Sequence, residues 1–391
     1  MKVLDIFAGA GGFSLGFKNG GCEIIGAIEV DTWAAETFAF NHPDTRVIKS
    51  NVEEIDDDTI LKTFRTSKPD IILGSPPCQG FSICSKHNGD PKDPRNSLFE
   101  EFVRFGKILN PKIMIMENVP NLIKARTSEK KLLIDIIKSE LSKYGYFVYH
   151  SILEAVNYGV PQIRKRLFVI ASKKELHHPF PKPTHSPTLD DLFSFILKKT
   201  PTLWEAISDL PNIEAREGAE VMDYTSEPLN EFQKKIRNKS DKVYNHLAMK
   251  HAKRTVERFK SMEWGQSSAD VLEHLKPYKR NSNGILSEKV YDQNNRRMHP
   301  DKPCHTIPAS FYANFVHPYR HRNFTAREGA RIQTFPDTYM FKGKPTVVSH
   351  KLLEREGRFD EKYLCQYNQI GNAVPPLLAE AIARNLLKQI Q

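Results

Sequence analysis

Cysteine is scarce in this sequence of 391 residues, and the five present, at 22, 78, 84, 304 and 365, never form a C-x-x-C pair. An odd, scattered set argues against a disulfide framework and against a cysteine-based zinc site. No metal is expected, and a reducing compartment, the cytoplasm, is the natural home. Long apolar runs are missing as well: no stretch approaches the roughly 18 apolar residues that a spanning helix needs. The segment from Met1 to Phe13 is apolar, but Asp5 interrupts it and glycines follow, so it does not read as a signal peptide. No membrane association is expected. There is neither an internal repeat nor a low-complexity tract. Acidic residues are in deficit, 47 against 57 Lys and Arg, a net charge of +10. A basic surplus suits a polyanionic partner, because each neutralised phosphate releases a condensed counterion. A basic soluble protein with no such partner has the same balance.

What is there is strand–helix alternation over the first 170 or so residues. Val3 to Phe7 reads as a buried strand, followed by the turn Gly9-Ala10-Gly11-Gly12. Ile24 to Ile28 is a second strand ending at Glu29, and Asp31 can cap the helix carrying Trp33, Ala34, Ala35 and Phe38. Further strands are expected at Ile71 to Leu73, Ile113 to Met116 and Leu167 to Ala171. Helices are expected around Leu98 to Val103 and Leu132 to Ile137. This order predicts an α/β fold, a doubly wound, mostly parallel sheet with helices on both faces. The pattern stops at Pro179-Phe180-Pro181-Lys182-Pro183, a candidate boundary, since proline clusters resist helix and central strand alike. Beyond it the periodicity is weak and basic pairs recur: Lys234-Lys235, Lys253-Arg254, Lys279-Arg280 and Arg296-Arg297. Helical pattern returns at Thr325 to Gln333 and in a last helix from about Pro376 to Lys388.

Four constellations can carry chemistry. The first is Asp5-Ile6-Phe7-Ala8-Gly9-Ala10-Gly11-Gly12-Phe13, where a glycine turn after the first strand lets a ligand approach the backbone. Glu29, at the end of the second strand, is placed to accept hydrogen bonds from two ribose hydroxyls. Together they describe a nucleoside-containing cofactor, although nicotinamide sites look similar and such a turn can be purely structural. The second is Gly74-Ser75-Pro76-Pro77-Cys78-Gln79-Gly80-Phe81-Ser82. A lone cysteine is most often a small buried hydrophobe. One held behind two prolines at the ligand-binding edge is a candidate nucleophile. The third, Met116-Glu117-Asn118-Val119-Pro120, ends an apolar strand in a carboxylate. The fourth, Gln162-Ile163-Arg164-Lys165-Arg166, alternates so that Gln162, Arg164 and Arg166 share one face. Such a run is usually solvated, but beside Cys78 and Glu117 it could clamp a polar ring or a phosphate.

With Arg327-Glu328-Gly329-Ala330-Arg331 and Gly371-Asn372-Ala373-Val374-Pro375, these segments stand in one order. That order resembles the DNA (cytosine-5)-methyltransferases of bacterial or archaeal restriction-modification type, over about residues 2–171 and 320–391. The resemblance implies a catalytic and cofactor-binding domain over 1–180 and a smaller target-recognition domain over 181–365, with segment 366–391 returning to the first. It implies S-adenosylmethionine as cofactor, against Phe7, Gly9, Ala10, Gly12, Glu29, Asn51, Val52, Pro77, Leu98, Asn372 and Ala373. It implies that Cys78 adds to carbon 6 of cytosine and that Glu117 protonates or hydrogen-bonds ring nitrogen 3. Arg164 and Arg166 would orient the base and stabilise charge, and Gln79, Asn118 and Gln162 would position it. The base must leave the duplex first. Basic side chains of the recognition domain should meet phosphates, which set register without reading sequence. The partner is then double-stranded DNA, with a restriction endonuclease of matching specificity as functional partner and a monomer in solution.

Two departures from the family's pattern stand out. Where the family carries an acidic residue after the third strand, this chain reads Ser50-Asn51-Val52. The Asn51 carbonyl oxygen could still accept the adenine amino hydrogen bond. The charged stretch Lys342 to Lys362 is longer than expected and reads as an extra surface loop. Competing readings are weaker. An RNA-directed relative would carry a Cys-Phe-Thr signature that is absent. A catalytically dead binding module would not need Cys78, Glu117 and Arg166 intact. A nicotinamide dehydrogenase leaves the Pro-Pro-Cys-Gln loop and the arginine strand without a role.

Overall fold

The computed structural model describes residues 1–77, 98–127, 130–188, 197–279, 284–287, 290–346, 350–361 and 363–390. The chain divides into two compact units: Met1–Tyr158 with Arg164–Thr184 and Ala373–Gln391, and Gly159–Ile163 with His185–Asn372. No described helix is long and apolar enough to cross a membrane.

In the first unit the apolar runs form one seven-stranded sheet. Its strands are β1 (Lys2–Ile6), β2 (Glu23–Glu29), β3 (Arg46–Lys49), β4 (Ile71–Gly74), β5 (Ile113–Asn118), β6 (Phe147–Glu154) and β7 (Lys165–Ser172). They lie in the order β3-β2-β1-β4-β5-β7-β6. Strands β1 to β5 are parallel to their neighbours, so the sheet is the mostly parallel one expected. Strand β7 is the exception, antiparallel to both β5 and β6. The unbroken apolar sequences of β4 and β5 reflect burial on both faces. Leu4, Ile6, Ile72, Met114, Met116, Leu167 and Val169 from the strands meet Phe102 and Phe105 from helix Leu98–Leu109 in one core.

Helix α1 (Gly12–Asn19) follows β1 directly, and α2 (Thr32–Asn41) follows β2 with Asp31 accepting from the Ala34 N–H at 2.9 Å. The last helix, Pro376–Ile390, packs on α1 at very short range. A Cβ on Gly16 would stand 2.3 Å from the Ala379 Cβ, so only glycine lets these helices approach this closely. Strand β1 sits between β2 and β4, and its two flanking connections diverge. That is the switch point at which an open α/β sheet leaves a crevice beyond the carboxyl ends of its strands.

The second unit is held by side chain–backbone bonds more than by regular structure. An antiparallel hairpin joins strands Gly218–Asp223 and Lys242–Leu247. Among its helices are Leu203–Ile207, Glu231–Arg237, Lys253–Lys260 and Ala326–Ile332. Every residue of the last is buried, Arg327, Glu328 and Arg331 included. Thr325 and Glu328 form a capping box at its start. The Glu328 carboxylate also accepts both Nη groups of Arg322, at 2.8 and 2.7 Å. Arg331 donates to Asp337 at 2.6 Å and to Asp209. The carboxylates hold the Arg331 guanidinium firmly charged against the opposing effect of burial. Removing one partner strands the others in a dry interior, so Arg331→Ala is expected to cost about 3–5 kcal/mol. A urea midpoint unchanged from wild type would refute this.

Two expectations change here. Arg297, expected among the phosphate contacts, is buried, and its Nη1 donates to the carbonyl oxygens of His317 and Pro318 at 2.7 and 3.0 Å. Its guanidinium ties the chain together through these carbonyls, and the Pro318 oxygen also accepts from Trp264 Nε1 at 3.1 Å. The stretch Lys342 to Lys362 is not a plain surface loop: it holds a helix at His350–Arg355, and Leu353 is fully buried.

Candidate active site

The first unit gathers most of the candidate side chains along one edge of its sheet. After β1 the backbone turns through Phe7, Gly9 and Gly11, at φ of 63, 54 and 87°, all left-handed. Ala8 still donates to the Ile28 carbonyl at 3.1 Å, so the turn is anchored to β2 before it enters α1. Among the described residues a Cβ at Gly9 would meet nothing within 4 Å, so the backbone there faces open space between them. Glu29, at the end of β2, braces the turn. Its Oε2 accepts from the Gly9 N–H at 2.7 Å and its Oε1 from the Asp31 N–H at 2.8 Å. Burial raises the Glu29 carboxyl above its usual range, and the backbone donors at Asp31 and Gly9 oppose it. Each oxygen keeps a lone pair for a further donor.

Val30 follows Glu29 and is 62% exposed, an apolar platform beside the turn that reading the sequence missed. The available signal was an apolar residue one step beyond a buried strand. Asn51 caps the 3₁₀ turn Val52–Glu54. Its Oδ1 accepts from the Glu53 N–H at 3.3 Å and its Nδ2 donates to the Glu53 Oε2 at 3.0 Å. The oxygen expected to meet an adenine amino group is thus shared with the chain's own backbone. Val52 is buried, and Ala10 and Gly12 are buried within the turn and the start of α1; Pro77 and Leu98 are half-buried.

Asp5, under the turn, is buried and accepts from Ser14 Oγ at 2.6 Å. Burial pushes its pKa up to about 7, against the Ser14 hydrogen bond. Its unfolded value lies near 3.9, so the native state holds this proton where the unfolded chain releases it. Stability is therefore expected to fall as pH rises from about 4 to about 7, by a few kcal/mol in order of magnitude. Asp5→Asn should flatten that slope in urea unfolding measured across the window. Equal slopes in variant and wild type would refute the assignment.

The second group stands where β5 ends and β7 begins. Because β7 is antiparallel, its start lies at the same edge as the end of β5. Glu117 lies opposite Phe168, and Arg166 is two residues from Phe168 on the same face of β7. That diagonal brings the Arg166 Nε to 3.0 Å from the Glu117 Oε1. Burial lowers the Arg166 pKa, and Glu117 counters it. Arg164 has a backbone partner. It is buried, and its Nη2 donates to the Ala373 carbonyl at 3.2 Å. Burial, reinforced by the nearby Arg166 charge, lowers its pKa well below the ordinary value. Asn118 donates from Nδ2 to the Pro76 carbonyl at 3.0 Å, and its Oδ1 accepts from the Val119 N–H at 2.8 Å. Its carboxamide therefore pins the loop leaving β4 at the residues just before Cys78. Cys78 and Gln79 lie outside the described residues.

Gln162 and Asn372 belong to the second unit. Gln162 Nε2 donates to Gln333 Oε1 at 2.8 Å, and its Oε1 accepts from the Ile307 N–H at 2.9 Å. Gln333 in turn donates to the Ile370 carbonyl at 2.7 Å, in the helix Gln366–Asn372. Asn372 is exposed at the end of that helix and Ala373 is half-buried.

A model of the C-5 cytosine-specific DNA methylase family matches residues 1–388. The chain belongs to that family. It is a DNA (cytosine-5)-methyltransferase of the type II restriction-modification class. It is 47% identical over 386 residues to the type II methyltransferase M.DdeI of Desulfomicrobium norvegicum, covering 99% of this chain and 88% of that one. It is 31% identical over 389 residues to the type II methyltransferase M1.HphI of Haemophilus parahaemolyticus, covering 99% and 87%. Among solved structures it matches a candidate DNA modification methyltransferase encoded within an E. coli prophage. There the TM-score is 0.74 at 24% identity, over 100% of this chain and 99% of that one. It also matches a mutant DNMT2 of Spodoptera frugiperda, with a TM-score of 0.54 at 19% identity, over 99% and 98%. At such identities these structures speak for the fold alone. The methylase family generally uses S-adenosylmethionine.

Proposed function

We propose that this methyltransferase modifies carbon 5 of cytosine within one specific short sequence of double-stranded DNA, using S-adenosylmethionine and a covalent Cys78 adduct with an extruded base. The observation that carries the reading is the Glu117–Arg166 pair, at 3.0 Å, on the sheet edge that also bears the Gly9 turn and Glu29.

The residues fit the cofactor. Open space over Gly9, unused lone pairs on a raised, buried Glu29 and an exposed Val30 suit a nucleoside whose ribose donates and whose base packs. Phe7, Gly9, Ala10, Gly12, Glu29, Val52, Pro77, Leu98, Asn372 and Ala373 would hold it, with Asn51 contributing through its remaining lone pair. When bound, S-adenosylmethionine supplies an electrophilic methyl group to carbon 5.

The chain's own residues must make carbon 5 nucleophilic, since its electron density is otherwise delocalised in the ring. The Cys78 thiolate forms a bond to carbon 6, and the displaced electron pair makes carbon 5 an enamine carbon. Glu117 donates a proton or hydrogen bond to ring nitrogen 3 and stabilises that adduct. Arg166 holds the Glu117 carboxyl in place. Arg164, bound to the Ala373 carbonyl, fixes the strand that carries Arg166. Asn118 holds the loop leading to Cys78 and Gln79, and Gln162 stiffens its own segment through Gln333. After carbon 5 is methylated its proton leaves to a base and the bond from Cys78 to carbon 6 breaks, which restores the aromatic ring.

Residues 181–365 are the target-recognition region in this reading, and a restriction endonuclease of the same specificity is the functional partner. The enzyme acts as a monomer in the cytoplasm. Bisulfite sequencing of unmethylated duplex DNA treated with enzyme and S-adenosylmethionine tests it. Protection of cytosine in one short motif is expected. Bound cofactor without any protected cytosine in duplex DNA would overturn the reading and favour RNA or a purely binding role.

A further inference from the structure

Arg104 has no part in the reaction as described, yet its guanidinium is fully engaged in the first unit. It lies in the middle of the helix Leu98–Leu109, whose first residue is among the expected cofactor contacts. Its Nε donates to Glu101 Oε2 at 2.8 Å and its Nη1 to Asp57 Oδ1 at 2.6 Å. Its Nη2 donates to the carbonyl oxygens of Val52 and Ile55, at 2.9 and 3.0 Å. Those carbonyls belong to the 3₁₀ turn Val52–Glu54 and to the residue that caps its end. Asn51, at the start of the same turn, is the residue that stands where the family carries an acid.

The turn's own bonds are weaker than those it receives from Arg104. The Glu54 N–H reaches the Asn51 carbonyl at 3.1 Å and the Ile55 N–H reaches the Val52 carbonyl at 3.4 Å. Asn51 Oδ1 accepts from the Glu53 N–H at 3.3 Å. A 3₁₀ turn bonds with poor geometry, and lengths beyond about 3.2 Å lie outside the favoured range. The buried side chains of Val52 and Ile55 fix how deep the turn sits. They leave its rotation to the backbone, and two carbonyls that must both point at one nitrogen set that rotation. The rotation in turn aims Asn51. Glu53 then decides which way the carboxamide faces, since its N–H meets Oδ1 and its Oε2 accepts from Nδ2 at 3.0 Å. An ammonium in place of Arg104 could not hold two carbonyls and two carboxylates, because it lacks the planar fork.

We propose that Arg104 is a positioning residue for the adenine end of the cofactor site, holding this turn so that Asn51 Oδ1 meets the 6-amino group. The inference rests on the cofactor reading above and deepens it. Calorimetric titration would compare S-adenosylhomocysteine with its 6-deamino analogue, whose purine carries hydrogen in place of the amino group. Wild type, Arg104→Gln, Arg104→Lys and Asn51→Ala would each be titrated, with thermal unfolding alongside. Wild type is expected to bind S-adenosylhomocysteine about 2- to 10-fold tighter than the analogue, the worth of one hydrogen bond. Both Arg104 variants and Asn51→Ala are expected to bring that ratio close to one, with the loss falling on S-adenosylhomocysteine. Arg104 is partly exposed, and Arg104→Lys keeps its charge and stem, so it decides the matter if Arg104→Gln does not fold. A purely structural role would weaken both ligands equally and leave the ratio at its wild-type value, which would overturn the proposal. Arg104 variants that bind both ligands as wild type does would overturn it too, as would a wild type or an Asn51→Ala variant in which Asn51 makes no difference to the ratio. A wild-type enzyme that binds neither ligand would instead fell the cofactor reading, and this inference with it.

Discussion

Cys78→Ala is expected to lower the rate of DNA methylation by at least about 10⁴-fold, the scale seen when an enzyme loses its covalent nucleophile. S-adenosylmethionine binding should survive, because the turn at Gly9 and the Glu29 brace are built from β1 and β2. The size of the effect follows from the chemistry. Without a bond to carbon 6 there is no enamine, and the remaining groups can only orient an unreactive ring. The expected signature is therefore a near-total loss in the single-turnover rate with cofactor affinity intact. A second readout separates this from a positioning role. Wild-type enzyme on a duplex whose target cytosine carries fluorine at carbon 5 cannot lose a proton there and should remain covalently attached to the DNA, whereas Cys78→Ala should not. Measurable turnover by the alanine variant, or an adduct formed without Cys78, would sink the nucleophile assignment.

The parts of this enzyme legible from sequence are those written locally. The glycine turn, the Asp31 cap, the proline loop and the strand ends at Glu29 and Glu117 all lie where an apolar run of strand length meets a residue that ends it. Strand direction is not local, and nothing in Lys165–Ser172 distinguishes an antiparallel strand from a parallel one. Yet that direction brings Arg166 to Glu117. Strand β6 went unread because it is largely half-exposed at the sheet edge and its residues alternate poorly. The split between Arg164 and Arg166 was hidden for a different reason. Alternation puts Gln162, Arg164 and Arg166 on one face without showing that Gln162 and Arg164 are buried, and only tertiary partners reveal that one arginine meets a carbonyl and the other a carboxylate. Arg327, Glu328 and Arg331 mislead in the same way, since three charges on a short helix suggest a solvated face when every one is buried. In the second unit generally, order comes from such long-range side-chain bonds, which leave little periodicity in the sequence.

Glu117→Gln carries the second large expectation: a fall in kcat of about 10²- to 10⁴-fold, the usual worth of a positioned proton donor. The substitution keeps the volume of the side chain and an oxygen that can accept from the Arg166 Nε, so the 3.0 Å contact has a surviving partner. It removes the transferable proton. If Glu117 acts by giving that proton to ring nitrogen 3, the loss should fall on kcat while the KM for DNA changes little, because the interaction forms fully only as the adduct develops. Arg166→Lys probes the other half of the pair. It retains a cation but loses the planar fork. Its effect should overlap that of Glu117→Gln, so that the double variant is less impaired than the product of the two single losses. Independent, multiplicative losses would mean that Arg166 acts on the base directly and not through Glu117. A kcat for Glu117→Gln within a few-fold of wild type, at unchanged unfolding midpoint, would mean that a hydrogen bond from a neutral amide suffices at nitrogen 3 and that no proton is transferred there.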